Sequence, residues 1–451
     1  MSNSALSLGY RRLFYLVLPN ETSYEKLEDV PGYVEQAFPF FVSLIIIECL
    51  ILFLQGRPLP RANDGMSSLS AGLVSLLHSL VFRPVELSAF VWAYHHFNII
   101  TLPWNSPYTW CLTLTGVDFA YYWVHRFGHE VNIIWASHQT HHSSQDYNFT
   151  TALRQSAFQK YFSWVFYMPL ALFLPPSIFL VHIQLNLLYQ FWVHTEVVKS
   201  LGFLEYIICT PSHHRVHHGR NQYCIDKNYG GVLIIWDRIF GTFEAERPNE
   251  EIAYGLVHSL NSWSLLYTQF CHLKYILSRL TEVKSVFEGL GVLFKGPGWA
   301  PGKPRLGLPE DIPQVECPVE KYNVSIAMWH TVYVWSHFAV CILLYLILTS
   351  NTTRLSVFMI YIGLVFIVVS LTSFGAQYDN RWYAGWLECA RCSAALLYLW
   401  ITWSQLYLVY PSMALQTVLV LYLVSAIAWG VVSITQAAHK SLRGNIPKKY
   451  L

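Results

Sequence analysis

Long apolar stretches alternate with shorter polar segments along the chain. The first covers residues 38–54, a second covers 69–100 with a break at Arg83-Pro84, and a third covers 108–124. Helices of about 17 to 25 mainly apolar residues are long enough to cross the hydrocarbon core of a bilayer. The pattern therefore predicts an all-α fold, a polytopic integral membrane helical bundle. The break at Arg83-Pro84 leaves open whether the second stretch is one kinked span or two.

Two shorter apolar stretches, 161–174 and 177–193, are separated by Pro175-Pro176. Each falls short of the roughly 20 residues of a full span, so they predict a helical hairpin that dips into the membrane or just crosses it. A hairpin returns the chain to the side it left, so the segments before and after it are predicted to face the same side. Four further apolar stretches predict a membrane region at the C-terminus, at 330–348, 356–374, 388–409 and 412–432.

Polar segments divide the chain into three predicted regions. Residues 1–37 are mixed in character and are predicted to be an N-terminal polar arm with one short helix. Residues 38–324 form the membrane domain that carries most of the histidines, and its polar part, 219–324, is predicted to be a cap over the functional site. Residues 325–451 are predicted to be a four-span region that ends in a basic tail.

The composition agrees with a membrane protein and excludes several other classes. Hydrophobic residues make up 54% of the chain and charged residues 12%, about half the charged share of soluble proteins. The formal net charge of +2 offers no broad basic surface, so no nucleic-acid partner is expected. The nine cysteines are scattered, which favours neither a disulfide framework nor a zinc ribbon. The expected partner is the lipid bilayer.

Histidines between residues 125 and 218 form three blocks with short, regular spacing. The first block is an HxxxH pattern and the other two are HxxHH patterns; their members are His125 and His129, then His138, His141 and His142, then His214, His217 and His218. Residues three or four apart share one face of a helix, so each block offers two or three imidazoles toward one point. Eight imidazoles exceed the four ligands of a structural zinc site. The spacing predicts a site for two metals, although a single histidine is more often structural and a metal transporter is a rival interpretation.

Basic residues near the C-terminus predict the orientation of the chain. Lys440, Arg443, Lys448 and Lys449 follow the last apolar stretch on a short segment, where positive charge marks the cytosolic side. An even number of spans between the histidine blocks and this tail places both on that side. The terminal Lys448-Lys449-Tyr450-Leu451 resembles a dilysine signal that retains proteins in the endoplasmic reticulum. We expect a multi-pass protein of that membrane with its histidine-rich site and C-terminus in the cytosol.

The three blocks between membrane spans resemble the fatty acid hydroxylase and sterol desaturase superfamily of non-haem di-iron membrane oxygenases. The resemblance is strongest to the branch that hydroxylates glyceryl ethers, and it extends from about residue 10 to about residue 310. It is carried by residues 116–119, 125–132, 138–144, 151–156, 210–219, 230–246 and 295–307. The last four spans match that branch only loosely.

The resemblance implies a reaction, two cofactors and a ligand set. The implied reaction is hydroxylation of the ether-linked carbon of alkylglycerols by O2, driven by tetrahydrobiopterin, with breakdown of the hemiacetal to a fatty aldehyde and glycerol. The implied metal is Fe as a di-iron centre, held by the eight histidines of the blocks. His194 matches a further ligand of the superfamily, although a buried structural histidine has the same sequence signature.

Two acids are candidates for a role beside the metals. The resemblance points to Glu130 as a pterin-binding and catalytic residue, whereas the alternative is a helix-end carboxylate in solvent. Asp118 lies about two helical turns before His125, on the same face, and is expected to orient a ligand histidine. Two other functions remain open: a sterol or fatty acid hydroxylase supplied by NADH and cytochrome b5, and a histidine-rich metal transporter.

Overall fold

The fold was analysed in a computed structural model that describes residues 3–352, 355–407 and 412–444. Within these ranges the chain is helical, and two isolated β-bridges are the only extended pairings found in them. The predicted all-α class is therefore confirmed. Lys448-Lys449 and the rest of the predicted retention signal lie outside the described residues.

Backbone contacts divide the chain into two units. The first unit comprises Met1–Asn261 and Thr268–Tyr322, and the second comprises Ser262–Tyr267 and Asn323–Leu451. The helices up to residue 294 are α1 Asn3–Leu13, α2 Pro19–Thr22, α3 Tyr33–Gln36, α4 Phe38–Leu54, α5 Ala62–Phe97, α6 Pro107–Glu130, α7 Asn132–His142, α8 Phe149–Ala152, α9 Lys160–Tyr167, α10 Pro176–Trp192, α11 Pro211–His218, α12 Ile235–Phe240, α13 Leu265–Thr281 and α14 Val286–Phe294.

The first 37 residues differ from the predicted polar arm with one short helix. They form α1, α2, a 3-10 turn and α3, and they bury Leu13 and Tyr33 against Leu185 of α10. The backbone N–H of Tyr33 donates to Gln184 of the same helix at 2.8 Å. The segment is packed because its few apolar residues lie on one side of short helices, where α10 covers them.

The chain is a multi-pass membrane protein. The described helical segments that are long and apolar enough to cross a membrane are Leu27–Leu54, Met328–Ser350, Val357–Tyr378 and Met413–Ala438. The bent pair Ala62–Leu80 and Phe82–Phe97, with a 49° angle, adds a fifth if it counts as one span. The structure thus makes the second stretch one continuous helix, α5, bent near Pro84.

Two of the predicted spans form helices without the expected apolar character. The stretch predicted at 108–124 lies in α6, and the one predicted at 388–409 begins in the helix Ala384–Tyr407. Neither helix is among those that qualify as spans on length and hydropathy. The first carries Asp118 and two histidines at its end, and the second carries Glu388 and Arg391.

The predicted hairpin between the second and third histidine blocks is present, and its first limb is too short to cross a membrane. Its first limb is α9 followed by the 3-10 segment Met168–Leu172, and its second limb is α10. The eight residues of α9 rise only about 12 Å. Protein surrounds most of α10, where twelve of seventeen residues are buried, including Val181 and Leu188. The hairpin therefore returns the chain beside its starting point as part of the protein core.

The second unit contains four long helices, α15 Met328–Ser350, α16 Val357–Tyr378, α17 Ala384–Tyr407 and α18 Ser412–Gly444. An ion pair between Glu388 and Arg391 lies fully buried among them. The Glu388 carboxylate also accepts hydrogen bonds from Tyr333 at 2.6 Å and Ser373 at 2.7 Å. This network ties α15, α16 and α17 together.

Candidate metal centre

Three helices bring the histidine blocks to one place. The first block occupies the last turns of α6, the second ends α7, and the third forms most of α11. The short helix α11 begins with Pro211 and ends before Gly219, and both features suit a helix of two turns. All nine predicted ligands, His194 included, are buried.

The nine histidines form two groups, within each of which one ligand nitrogen per residue lies within 4.8 Å of the others. The first group contains His125, His129, His138, His142 and His217; the second contains His141, His194, His214 and His218. The rings of His142 and His218 stack with centroids 4.3 Å apart, so the two groups adjoin each other. The structure therefore brings together every histidine that the sequence and the resemblance nominated, in two neighbouring sets.

The first group has the spacing of ligands around one ion. The Nε2 atom of His142 lies 3.1 Å from that of His129, 3.2 Å from that of His138 and 3.2 Å from that of His217. Nitrogens about 2.1 Å from a metal are separated by about 3.0 to 3.4 Å for angles between right and tetrahedral. A neutral imidazole has a single N–H, so it satisfies one such neighbour but not three. A cation at the centre satisfies all of them.

The second group is arranged around His194. Its Nε2 atom lies 3.3 Å from that of His141, 3.2 Å from that of His218 and 3.0 Å from that of His214. His194 follows α10 directly, so the hairpin delivers it to the site. The alternative of a structural histidine bonded only to its surroundings does not describe this geometry.

Backbone carbonyls fix the rings of four histidines. The Nδ1 atom of His125 donates to Tyr229 O at 2.8 Å and that of His141 donates to Arg154 O at 2.9 Å. The corresponding atoms of His194 and His217 donate to Gln190 O at 2.7 Å and Lys227 O at 2.9 Å. Because a carbonyl can only accept, each Nδ1 carries the proton and each Nε2 lone pair faces the centre, as in metal-ligating histidines.

One unpaired atom indicates directly that the site fits a metal. The Nε2 atom of His125 is buried and no hydrogen-bond partner for it is found among the described residues. Its Nδ1 proton is committed to Tyr229, so Nε2 exposes a lone pair toward the first group. A buried acceptor without a partner costs about 1 to 3 kcal/mol, which a coordinated cation would offset.

Burial keeps the histidines of α7 and α11 in the form that binds metal. Desolvation lowers the pKa of His141 to about 4. Desolvation, followed by repulsion among the neighbouring rings, also lowers the pKa of His138, His142, His214 and His218. These rings are neutral at physiological pH, and neutral imidazole is the ligand form.

The Asp118 carboxylate forms hydrogen bonds with groups other than the histidines. The structure therefore does not show the expected direct contact with a ligand histidine. Its carboxylate accepts from Val232 N at 2.7 Å, Leu233 N at 2.9 Å and Trp236 Nε1 at 3.0 Å. It also accepts from Asn186 Nδ2 at 2.8 Å. The sequence argument identified the correct helical face, but a loop at 229–236 fills the space in front of it. That loop carries the Tyr229 carbonyl, so Asp118 holds the segment that bonds to the His125 ring.

Glu130 is buried rather than exposed at a helix end. Arg126 Nε donates to its Oε1 at 2.8 Å, and Arg305 Nη1 donates to its Oε2 at 2.7 Å. Arg305 also donates to the backbone carbonyl of Glu130 at 3.2 Å. The carboxylate therefore holds the loop 295–307 against the end of α6, beside His129, with both of its oxygens engaged.

Several residues near the site were not found from sequence. Tyr229 and Lys227 supply carbonyls from a loop that sequence analysis assigned only to the cap, and Arg154 supplies a third. The guanidinium of Arg154 donates to Asp64 at 2.8 Å, which fastens α5 beside the second histidine block. His213, next to the third block, lies outside both groups and caps α11 through Thr210.

Comparisons with known proteins agree with this arrangement. The family described as Fatty acid hydroxylase matches residues 110–242, and the Alkylglycerol monooxygenase C-terminal domain matches residues 330–421. The chain is 50% identical to alkylglycerol monooxygenase of Homo sapiens over 394 residues, which cover 87% of this chain and 88% of the human protein. It is 45% identical to the Danio rerio protein of the same name over 445 residues, covering 98% and 99% of the two chains.

More distant similarity is confined to part of the chain. Ornithine lipid hydroxylase OlsE of Rhizobium tropici is 31% identical over 148 residues, which cover 31% of this chain and 43% of that protein. No solved structure matches the chain. The histidine groups and the family together indicate a metal site of the iron type used by these hydroxylases.

Proposed function

We propose a reaction for this chain, which belongs to the alkylglycerol monooxygenase family. It is a membrane-bound monooxygenase that acts on ether lipids. The observation that carries the proposal is the pair of adjoining histidine groups, joined at the stacked rings of His142 and His218. Two neighbouring nitrogen-rich sites suit a pair of iron ions.

The proposed reaction hydroxylates the carbon of the alkyl chain that is bonded to the ether oxygen. One atom of O2 enters this C–H bond, and the other leaves as water with two electrons and two protons from tetrahydrobiopterin. The product is a hemiacetal, which breaks down to a fatty aldehyde and glycerol. Iron bound by the nine histidines would supply the oxidising power that an unactivated C–H bond requires.

The chain's own residues hold the reactants and keep water away. The Nδ1 bonds to backbone carbonyls orient the imidazoles, so the ligand positions are fixed by the fold. A narrow cleft beside His138 is lined by Val124, Ile134, Phe162 and Phe166, among others. Its apolar side chains keep water from His138, and its volume of about 10 Å³ leaves no room for an alkyl chain.

The membrane arrangement belongs to the same proposal. We propose that residues 38–324 are the catalytic domain with 219–324 as its cap, and that residues 325–451 are an accessory membrane region. The basic tail supports a cytosolic site in the endoplasmic reticulum membrane. Glu130 remains a candidate for pterin binding, provided that Arg305 gives way to the cofactor.

The test compares two variants, in each of which one buried histidine is replaced by asparagine. His141→Asn removes a ligand of the second group, whereas His213→Asn changes a residue outside both groups and keeps a side chain able to cap α11. We expect His141→Asn to lose bound iron and to lower alkylglycerol turnover by at least about 100-fold. His213→Asn should retain most of both. Metal analysis of the purified protein and an assay for fatty aldehyde measure the two effects.

The same preparation distinguishes the other functions. Turnover of alkylglycerol should require O2 and tetrahydrobiopterin. Turnover supported by NADH and cytochrome b5 without pterin would contradict the proposal in favour of a sterol or fatty acid hydroxylase. Metal uptake by vesicles that contain the protein, with no oxidation of lipid, would instead indicate a transporter.

A further inference from the structure

Two helices that follow the third histidine block, α13 and α14, present apolar side chains on the outside of the protein. In α14, Val286 is 78% exposed and Phe287 is 86% exposed. Leu290 and Phe294 continue the same exposed face, because residues four apart lie on one side of a helix. Phe270 of α13 is exposed as well. Apolar patches of this kind mark a surface that meets a partner or a membrane.

The opposite face of α14 packs against the protein. Val292 is buried together with Ile276 of α13, Ala136 of α7 and Trp299. An added Cβ at Gly291 would stand 2.4 Å from the Trp299 ring, so the helix approaches its neighbour closely on this side. The helix is therefore fixed in place by its inner face, and its apolar outer face is exposed.

Hydrogen bonds connect both helices to α7, which carries the second histidine block. The side chain of Asn132, the first residue of α7, donates to Val292 O of α14 at 2.8 Å and accepts from His272 Nε2 of α13 at 2.6 Å. Gln139 Nε2, next to His138 in the sequence, donates to Thr268 O of α13 at 2.7 Å. Because of these bonds, the position of α13 and α14 also determines the position of α7.

The length and charge of the two helices fit the surface of a membrane better than its interior. The nine residues of α14 rise about 14 Å, which is less than half of the hydrocarbon thickness. The longer helix α13 is not among the segments apolar enough to cross a membrane. Between residues 268 and 295, Glu282 and Glu288 are outnumbered by four basic residues, Lys274, Arg279, Lys284 and Lys295. Helices with an apolar face and basic residues lie in the headgroup layer, where anionic lipids attract the positive charges.

We propose that α13 and α14 are interfacial helices that insert their exposed apolar side chains into the headgroup layer of a bilayer containing anionic phospholipids, and thereby hold α7 at the membrane surface. Lipid is the occupant of this face because a bilayer adjoins a multi-pass protein. A second copy of the chain fits less well, since a symmetric contact would bring the excess basic residues of both copies together. The inference is independent of the proposed reaction.

The experiment places the photoreactive amino acid benzoylphenylalanine at Phe287 of the full-length protein, in nanodiscs of phosphatidylcholine and phosphatidylserine. Illumination should attach lipid to the protein, which mass spectrometry detects. The same probe at Leu290 or Phe294 should attach lipid too, since these positions share the exposed face. The control position is Glu310, which is exposed next to Asp311. It should yield at least about tenfold less lipid adduct, because an acidic turn stays in water.

A second measurement tests the contribution of the basic residues. The lipid attached at Phe287 should contain phosphatidylserine in at least about threefold excess over its share of the nanodisc, because nearby lysines attract anionic lipid. Lys274→Gln combined with Lys284→Gln should reduce this excess. Lys303→Gln is the control and should preserve it, since Lys303 already pairs with Asp311 at 2.7 Å. An adduct with the same lipid composition as the nanodisc would contradict the role of the basic residues.

Other adducts at Phe287 would overturn the inference. A crosslink between two copies of the chain would identify the face as a dimer contact. A crosslink within one chain would show that another segment covers it. If no adduct forms at Phe287, Leu290 or Phe294, the face meets water. A melting temperature equal to that of the wild-type protein verifies that each variant is folded.

Discussion

Asp118 illustrates how a buried residue supports the centre without touching it. Four hydrogen bonds converge on its carboxylate, two of them from the loop that precedes α12 and one from Trp236 in the first turn of α12. The same loop begins at Tyr229, whose carbonyl receives the Nδ1 proton of His125. Gly231 lies so close that an added Cβ would stand 2.9 Å from Asp118 Oδ1, so the loop fits the carboxylate closely.

We expect Asp118→Asn to lower both stability and iron content. An amide nitrogen would replace one acceptor oxygen and face N–H donors, which costs about 1 to 3 kcal/mol for the buried groups left unpaired. The Tyr229 carbonyl would shift, and His125 would lose its fixed orientation. Thermal unfolding and metal analysis of the purified protein measure the two effects.

Asp311→Asn is the control for this substitution, since Asp311 is exposed and pairs with Lys303 at the surface. It should change neither quantity measurably. Full iron occupancy in Asp118→Asn would contradict the role assigned to Asp118.

At the scale of residues, the sequence predicted which histidines cluster, but not the groups that hold their rings. Local spacing on helices is sufficient to place His138, His141 and His142 on one side of α7. The partners of Asp118 lie more than 60 residues away along the chain, and no local pattern encodes such contacts. The roles of the Tyr229 and Arg154 carbonyls could not be predicted from sequence either, because every residue has a backbone carbonyl.

At the scale of elements, the loop 295–307 acts as a latch on the junction between α6 and α7. Arg305 binds Glu130 at the end of α6, and the backbone N–H of Asn132 at the start of α7 donates to Lys295 O at 2.8 Å. The side chain of Asn132 also donates to Val292 O at 2.8 Å. The junction lies directly between His129 and His138, so the latch fixes the angle between the first two histidine blocks.

We expect Arg305→Ala to loosen this latch. Loss of the ion pair leaves Glu130 with Arg126 alone, and the loop loses its side-chain anchor. Hydrogen exchange at residues 295–307 and at the α6–α7 junction should become at least about tenfold faster, which corresponds to about 1.4 kcal/mol of local opening.

The control for the latch is Lys303→Ala, which removes an exposed ion pair between the same loop and Asp311. Its exchange should match that of the wild-type protein. If hydrogen exchange in Arg305→Ala equals that of the wild-type protein, backbone contacts alone hold the loop.

The sequence predicted helices with a continuous apolar pattern well. It did not predict segments whose placement depends on packing against another segment. The helix Phe38–Leu54 and the hairpin around Pro175 appear where the sequence places them. The packed N-terminal segment was missed because α1 to α3 are short and acquire a buried side only when α10 covers them. The sequence placed the loop 295–307 only within the cap, because its anchor joins Arg305 to Glu130, 175 residues earlier in the chain.

At the scale of the whole molecule, the second unit contains an ion pair buried in its interior. Arg391 and Glu388 are both fully buried, and Arg391 also donates to His337 at 2.9 Å. Removing one partner of such a pair leaves the other charged and unpaired, which costs about 3 to 5 kcal/mol. The bundle thus stays intact only while both charges are present or both are absent.

We expect Arg391→Met to destabilise the protein strongly and Arg391→Met with Glu388→Gln to recover part of that loss. The glutamine is neutral; its oxygen can accept from one of the two hydroxyls, Tyr333 or Ser373, and its NH2 group can donate to the other. Thermal unfolding in detergent compares the two variants with the wild-type protein. A double variant no more stable than the single one would show that the pair is not the source of the loss.

The membrane character and the helical class of the whole molecule were readable from hydropathy alone. Hydropathy separates α6 and Ala384–Tyr407 from the other predicted spans, but it does not reveal the tertiary contacts that satisfy their charges. Asp118 finds loop N–H groups and Glu388 finds Arg391. A hydropathy scale includes the cost of burying a charged group, but it does not include the partner groups that offset this cost.

The carbonyl bonds behind the imidazoles also determine how the protein acquires its metals. Because peptide carbonyls hold the rings of four of the nine histidines, the fold itself contributes to the ligand geometry. Nitrogen donors of this kind bind Cu²⁺ and Zn²⁺ more tightly than Fe²⁺. The fold therefore cannot choose iron by affinity. Metal availability in the compartment in which the chain matures is then one of the factors that select the ion.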